Sequence, residues 1–441
     1  MAGNALLTSL SSSALPITAL ISGPLLARVL GPEQRGEMNA VLAPLFVTMF
    51  VASVALPEAT TYAVAHLKVP VRRAAFTAAP LQLVGGLLAA VALYFAAPII
   101  ERGTPQVIPT LREALPALPL LMFVVMQRFA MSGDRRYGMT SVERTTAAFG
   151  RLALLVGLAG AGYLTSKTAV WCNLGANLLA ALVLFVPLVR SRPRPGASTL
   201  AGRPLAANLA KFGLRGWGGV FANLVNWRLD QAILPAFVGA ANLGYYAVAV
   251  SLAELPSALL GATKSVVFTE AAMRKDLRVV ARAARVILAA AILVDVAIAL
   301  AAPYVVRLFF GDPFAPATQL ARILLLGNIP FVTELILAAG LLSLGRPGLR
   351  SVGQVVAAGF TVVGLIFFVP IFGTRGAALT SVSAYTVNFL LTLTFFCRMS
   401  GLSPAVCLVP RISDVRWVAE FARKIARRKG RSLPVSTRGG S

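Results

Sequence analysis

Apolar stretches long enough to cross a bilayer recur through almost the whole chain, separated by short polar gaps. Their limits predict helices over 5–27, 38–66, 74–100, 112–131, 146–164, 168–189, 212–237, 243–267, 284–308, 318–342, 352–371 and 376–397. A helix needs about 20 mainly apolar residues to cross the hydrocarbon, and the backbone there must satisfy its own hydrogen bonds. The pattern therefore predicts an all-α integral membrane protein of about twelve transmembrane helices. An even number places both chain ends on one side.

The gaps alternate in charge. The even ones carry Lys68, Arg72 and Arg73; Arg128, Arg135, Arg136 and Arg144; the run from Arg190 to Arg215; Lys264 to Arg285; and Arg346 with Arg350. The odd gaps are poor in basic residues. Because Lys and Arg accumulate in cytoplasmic loops, both termini are expected in the cytoplasm. The sixth gap is the longest, and its Arg192-Pro193-Arg194-Pro195-Gly196 suits a mobile linker. It divides the chain into a six-helix bundle (1–190), a linker (191–211), a second six-helix bundle (212–397) and a cytoplasmic tail (398–441).

Composition agrees with this picture and narrows the chemistry. The chain is 57% hydrophobic and 13% charged, with a mean hydropathy of +0.78. A net charge of +25 would suggest nucleic acid in a soluble protein. Here loops and tail account for it, so no nucleic-acid partner is expected. Cys172, Cys397 and Cys407 fit neither a disulfide framework nor a metal-ligand spacing. No metal and no cofactor is expected. The single histidine, His66, falls at a membrane boundary, Glu101 and Glu113 stand apart, each beside an arginine, and there is no Walker motif. These features argue against an enzyme. A membrane glycan polymerase or glycosyltransferase remains the alternative, for which a water-accessible catalytic constellation would be required.

In the tail, Val415, Val418, Ala419, Ala422, Ile425 and Ala426 recur at helical spacing among Arg416, Arg423, Lys424, Arg427 and Arg428. Ser413 can cap this segment and Gly430 can stop it. The pattern predicts an amphipathic helix from Asp414 to Lys429 lying on the anionic cytoplasmic leaflet.

The two halves share a short motif. Gly31-Pro32-Glu33-Gln34-Arg35-Gly36 joins the first two helices, and Gly239-Ala240-Ala241-Asn242-Leu243-Gly244 joins the seventh and eighth. An equivalent join six helices later implies two halves of the same orientation, a plan found in transporters.

Leu26-Ala27-Arg28-Val29-Leu30 running into that first turn, Arg228-Leu229-Asp230-Gln231 running into Gly239 and Leu243-Gly244-Tyr245-Tyr246-Ala247, and Leu344-Gly345-Arg346 followed by Gly373-Thr374-Arg375-Gly376-Ala377-Ala378 carry a resemblance. The chain resembles bacterial polysaccharide-type flippases of the multidrug/oligosaccharidyl-lipid/polysaccharide superfamily. That resemblance implies two bundles around a polar central cavity opened alternately to each side of the bacterial plasma (inner) membrane. The implied cargo is a lipid-linked oligosaccharide for cell-surface polysaccharide, with glycan-assembly proteins as further partners. A multidrug antiporter of the same superfamily is the nearest alternative, and a nonconducting scaffold is another.

Charges deep in a bilayer are costly, roughly 2.5–3.5 kcal/mol each even on cautious scales. Glu58, Arg228, Asp230, Glu254, Asp295 and Glu334 fall well inside the predicted helices, whereas Arg28, Arg151 and Lys264 lie nearer ends. Arg228 and Asp230 are about 200° apart around a helix, so each needs its own partner. With the resemblance, Arg28, Arg228 and Lys264 are expected to face the cavity and bind the pyrophosphate of the cargo. Glu58, Asp230 and Glu254 are expected to serve as counter-charges or ion-coupling groups. Pro57 and Pro256 fall at similar depth in the second and eighth helices, where they can kink a cavity wall.

Overall fold

The computed structural model describes residues 2–193, 196–260, 264, 277–411 and 414, with the side chains of 18–257, 260, 264, 277–346 and 348 onward within that set. Every regular element among them is helical: α1 (Ala2–Ala52), α2 (Leu56–Ala65), α3 (Val71–Ile100), α4 (Ile108–Ala114), α5 (Ala117–Gly133), α6 (Tyr137–Gly160), α7 (Ser166–Ala180), α8 (Leu182–Val189), α9 (Gly202–Ile233), α10 (Ala240–Leu260), α11 (Leu277–Val305), α12 (Ala317–Ser343), α13 (Pro347–Ser400) and α14 (Pro404–Leu408).

Several expected crossings differ in how they begin, join or break. α1 carries the first crossing and most of the second, folded at Gly31, whose φ of 68° is left-handed. α13 carries the last two, folded at Gly373 with φ 56°. Glycine lacks the Cβ that penalises this region, so it permits the reversal. The second crossing breaks at Ser53–Ala55 and resumes as α2, bent by 48°, and the fourth is the bent pair ending in α5, at 57°. By length and apolar composition alone, five described helices cross a bilayer unaided and two bent pairs also qualify. α6, α9 and α10 are not among them; α6 carries Glu143, Arg144 and Arg151, α9 carries Arg228 and Asp230, and α10 carries Glu254.

Two expectations shift. α9 begins at Gly202 rather than 212, which shortens the linker. Arg128, taken from the sequence as a loop cation, stands inside α5, where it makes a bidentate pair with the fully buried Glu143 of α6 (2.7 and 2.6 Å) and donates to Asn177 of α7. The predicted tail helix and its cap Ser413 lie outside the described residues, Asp414 excepted.

Short connections make consecutive crossings antiparallel, so the molecule has a turn end, bearing the 31–36 and 239–244 turns, and a basic end. The first bundle packs α1, α2, α3, α5, α6 and α7 together; the second packs α9, α10, α11, α12 and α13. They meet mainly where α1 lies against α10 and α9.

Candidate functional site

The seam between the bundles is built first at the turn end. A side chain on Gly36 would begin 1.7 Å from the Ala240 carbonyl oxygen, and one on Gly244 would begin 2.0 Å from the Pro32 oxygen. Positions 32 and 240, like 36 and 244, stand the same distance apart in the chain. Each turn thus seats its second glycine on the second residue of the other, a reciprocal contact that only backbone can make. The third connection adds to it: the Gly103 amide donates to the Pro235 oxygen at 2.9 Å. Nearer the basic end, Trp217 of α9 donates to the Val51 oxygen at 3.0 Å. That carbonyl lies beside the helix break of the second crossing, where Val54 and Ala55 have positive φ.

Beside this seam, the deep charges of α9 separate as the helical spacing requires. Arg228 Nη1 lies 3.1 Å from Glu254 Oε1 of α10, with the two side chains 32% and 39% exposed. Its guanidinium also stacks 4.5 Å over the Trp227 ring. Asp230 is buried and accepts from the Tyr246 hydroxyl, from Ser381 at 3.5 Å and from the Gln231 amide at 2.8 Å. Arg228 and Glu254 are therefore an accessible pair, whereas Asp230 is committed to ties between α9, α10 and α13.

The other expected site residues do not join them. Arg28 is exposed, and its guanidinium donates to the Leu308 and Phe309 carbonyls just beyond α11. Glu58 opens α2, half-buried, with one carboxylate oxygen lacking a hydrogen bond. Lys264 is half-buried and interacts electrostatically with Glu334 of α12 and Arg350 of α13. Glu334 is itself almost fully buried.

The sequence reading missed polar residues that are uncharged. Asn328 donates to both oxygens of Asp295 at 3.0 Å, which accounts for that deep carboxylate. Asn226 donates to the Gln354 carbonyl, Gln354 to Asn223 and Thr361 to Asn226, a polar ladder between α9 and α13. A scan for ionised residues alone passes over these; asparagine and glutamine in apolar segments were the available signal. Among the described residues no cluster of His, Cys, Asp or Glu could hold a metal ion.

Two six-helix bundles with pseudo-equivalent turns that meet across a seam define a two-lobe membrane fold. The chain belongs to the polysaccharide biosynthesis protein family, whose model matches residues 25–319. A solved structure titled "Lipid II flippase MurJ, inward closed conformation" shares the fold, with TM-score 0.73, 12% identity and 90% of each chain covered. An inward-facing multidrug resistance MATE family transporter of the MOP superfamily is similar at TM-score 0.71 and 13% identity, over 89% of this chain and 98% of that one. The eukaryotic MATE transporter AtDTX14 matches at TM-score 0.59 and 14% identity, over 90% and 93%. No curated protein matches the sequence significantly.

Proposed function

We propose that the chain is an alternating-access carrier that moves a polyprenyl-pyrophosphate-linked oligosaccharide from the cytoplasmic to the outer leaflet of the bacterial plasma membrane. Family membership supports a role in polysaccharide biosynthesis, and the fold supports a carrier. The basic end is the cytoplasmic one, and the tail rests on its anionic surface.

The observation that carries the reading is the half-open Arg228–Glu254 pair. A partly exposed ion pair is held weakly, by about 0–1 kcal/mol, so an incoming anion can displace its acid. Arg228 then offers a planar fork that matches two phosphate oxygens at once. Glu254 reclaims the arginine when the anion leaves. Counter-charge exchange of this kind lets a site bind and release without a large energy well. Lys264, coupled to Glu334 and Arg350, supplies a second cation nearer the basic end.

In this cycle the reciprocal glycine contact closes the turn end while cargo loads from the basic end. Its release opens the outer side. The test is translocation of a lipid-linked oligosaccharide in vesicles containing the full chain. Arg228→Ala is expected to lower the initial rate at least about tenfold, equivalent to about 1.4 kcal/mol, at unchanged expression. A wild-type rate would remove Arg228 from the site. Transport of drugs in place of the glycolipid would instead favour the antiporter reading that the MATE-like fold admits.

A further inference from the structure

Arg35 and Arg151 are cations for which no acid is found among the described residues. Arg35 opens the second crossing one residue before Gly36 and is only 8% exposed. Among the described residues its side chain makes one contact of hydrogen-bond type, a long one of 3.9 Å to the Met38 sulfur, and its Nε has no partner. Arg151 stands on α6, which packs against α1, and its Nε is also buried without a partner. α1 and α6 pack side by side, and the charge that acts on Arg35 is that of Arg151. Elsewhere the chain resolves buried cations differently: Arg128 has Glu143, and Arg285 has Asp414.

Two guanidinium groups whose charges act on each other through a low-dielectric interior repel, and an oxyanion between them would relieve that repulsion and supply an acceptor to each unpartnered Nε. Ten N–H donors in two planar forks suit an acceptor with several oxygens and at least two charges. A single carboxylate would satisfy one fork and leave the other.

We propose that Arg35 and Arg151 form an anion subsite in the first bundle, beneath the turn-end seam, that takes a diphosphate group. That this diphosphate belongs to the cargo rests on the carrier reading; the subsite itself does not. Because Arg35 adjoins Gly36, an anion drawn to it acts on the segment that closes the seam.

The experiment measures thermal melting of the full chain in detergent, in chloride buffer, with inorganic pyrophosphate and with geranylgeranyl pyrophosphate as probes. Wild type is expected to be stabilised by pyrophosphate-bearing probes and not by geranylgeraniol. Stabilisation by both probes identifies the headgroup as the determinant, and stabilisation by geranylgeranyl pyrophosphate alone shows that the lipid is needed as well. Arg35→Gln and Arg151→Gln are each expected to weaken binding more than tenfold. Without anion these variants should melt at or above the wild-type temperature, because an uncompensated charge has gone; a structural arginine would give a lower one. Arg35→Lys keeps charge without the fork and is expected to bind at intermediate strength. The control Arg192→Gln, in the exposed linker, should bind as wild type. No response of wild type, or full binding by both glutamine variants, would overturn the subsite. If the probes bind as proposed but vesicles translocate no glycolipid, the subsite stands and the carrier reading fails.

Discussion

Arg228 and Asp230 are two residues apart on one helix and have different roles. The first meets Glu254 at an accessible face, and the second is buried against Tyr246 and Ser381. Helical periodicity made that divergence legible, because 200° cannot bring both to one face. The partners were not legible: Tyr246, Ser381 and Asn328 are uncharged and distant in sequence, and only packing brings them in. Arg28 shows the converse, since an arginine near a helix end can spend its donors on carbonyls of a neighbouring helix. Glu101 yields a prediction of its own. It lies just beyond α3, fully buried, with Thr104 donating to one oxygen at 2.7 Å and the other oxygen unpartnered. Burial raises its pKa from 4.5 to about 8. The closed form therefore holds a proton that an opened, hydrated Glu101 would release between those values. Closure is fully favoured below about pH 4.5, weakens as pH rises and levels off above about 8. The melting temperature of wild type should fall between pH 6 and 9, and Glu101→Gln should remove much of that slope. An equal slope in both would place the titration elsewhere.

At the scale of elements, the spans that diverged from simple hydropathy are those that face other helices. α6, α9 and α10 carry deep charges, and a test of length and apolar composition does not count them, although the alternating gaps still locate them. The turns at Gly31 and Gly373 were legible as glycine-rich joins, but that each reversal is made by a single non-helical glycine was not. The 31–36 and 239–244 motifs became informative only in three dimensions, where their similarity in sequence is a reciprocal contact in space. A methyl group at either second glycine would meet backbone, which cannot rotate away. Overpacking of this kind costs about 1–3 kcal/mol. Gly36→Ala and Gly244→Ala are thus expected to shift the molecule from turn-end closure, slowing translocation roughly 5- to 150-fold by the same energies. Labelling of a cysteine introduced at Leu243, buried in the closed form, should rise in parallel. Unchanged labelling would show that these glycines do not seal the seam.

The whole molecule gains its behaviour from two bundles joined mainly along α1, α9 and α10, with a short linker of Pro and Arg between them. A seam held by backbone contacts and the Trp217 hydrogen bond can separate without breaking either core, which is the condition for rocking one bundle against the other. The number of crossings and the twofold plan followed from periodicity and the repeated turn. Arg35 and Arg151 did not stand out in the sequence, since the first reads as a turn residue and the second as a helix-end cation; their shared lack of an acid is a tertiary fact. Opposed to the carrier account is a rigid scaffold, in which the seam stays shut whatever is bound.

Spin labels at Glu33→Cys and Gly239→Cys, both exposed at the turn end, read that seam directly in vesicles by pulsed electron resonance. The account predicts a short distance in the empty protein, joined by a second, longer population when lipid-linked oligosaccharide is supplied, and loss of the second population in Arg228→Ala. One unchanging short distance under all conditions, with glycolipid still crossing the membrane, would contradict it.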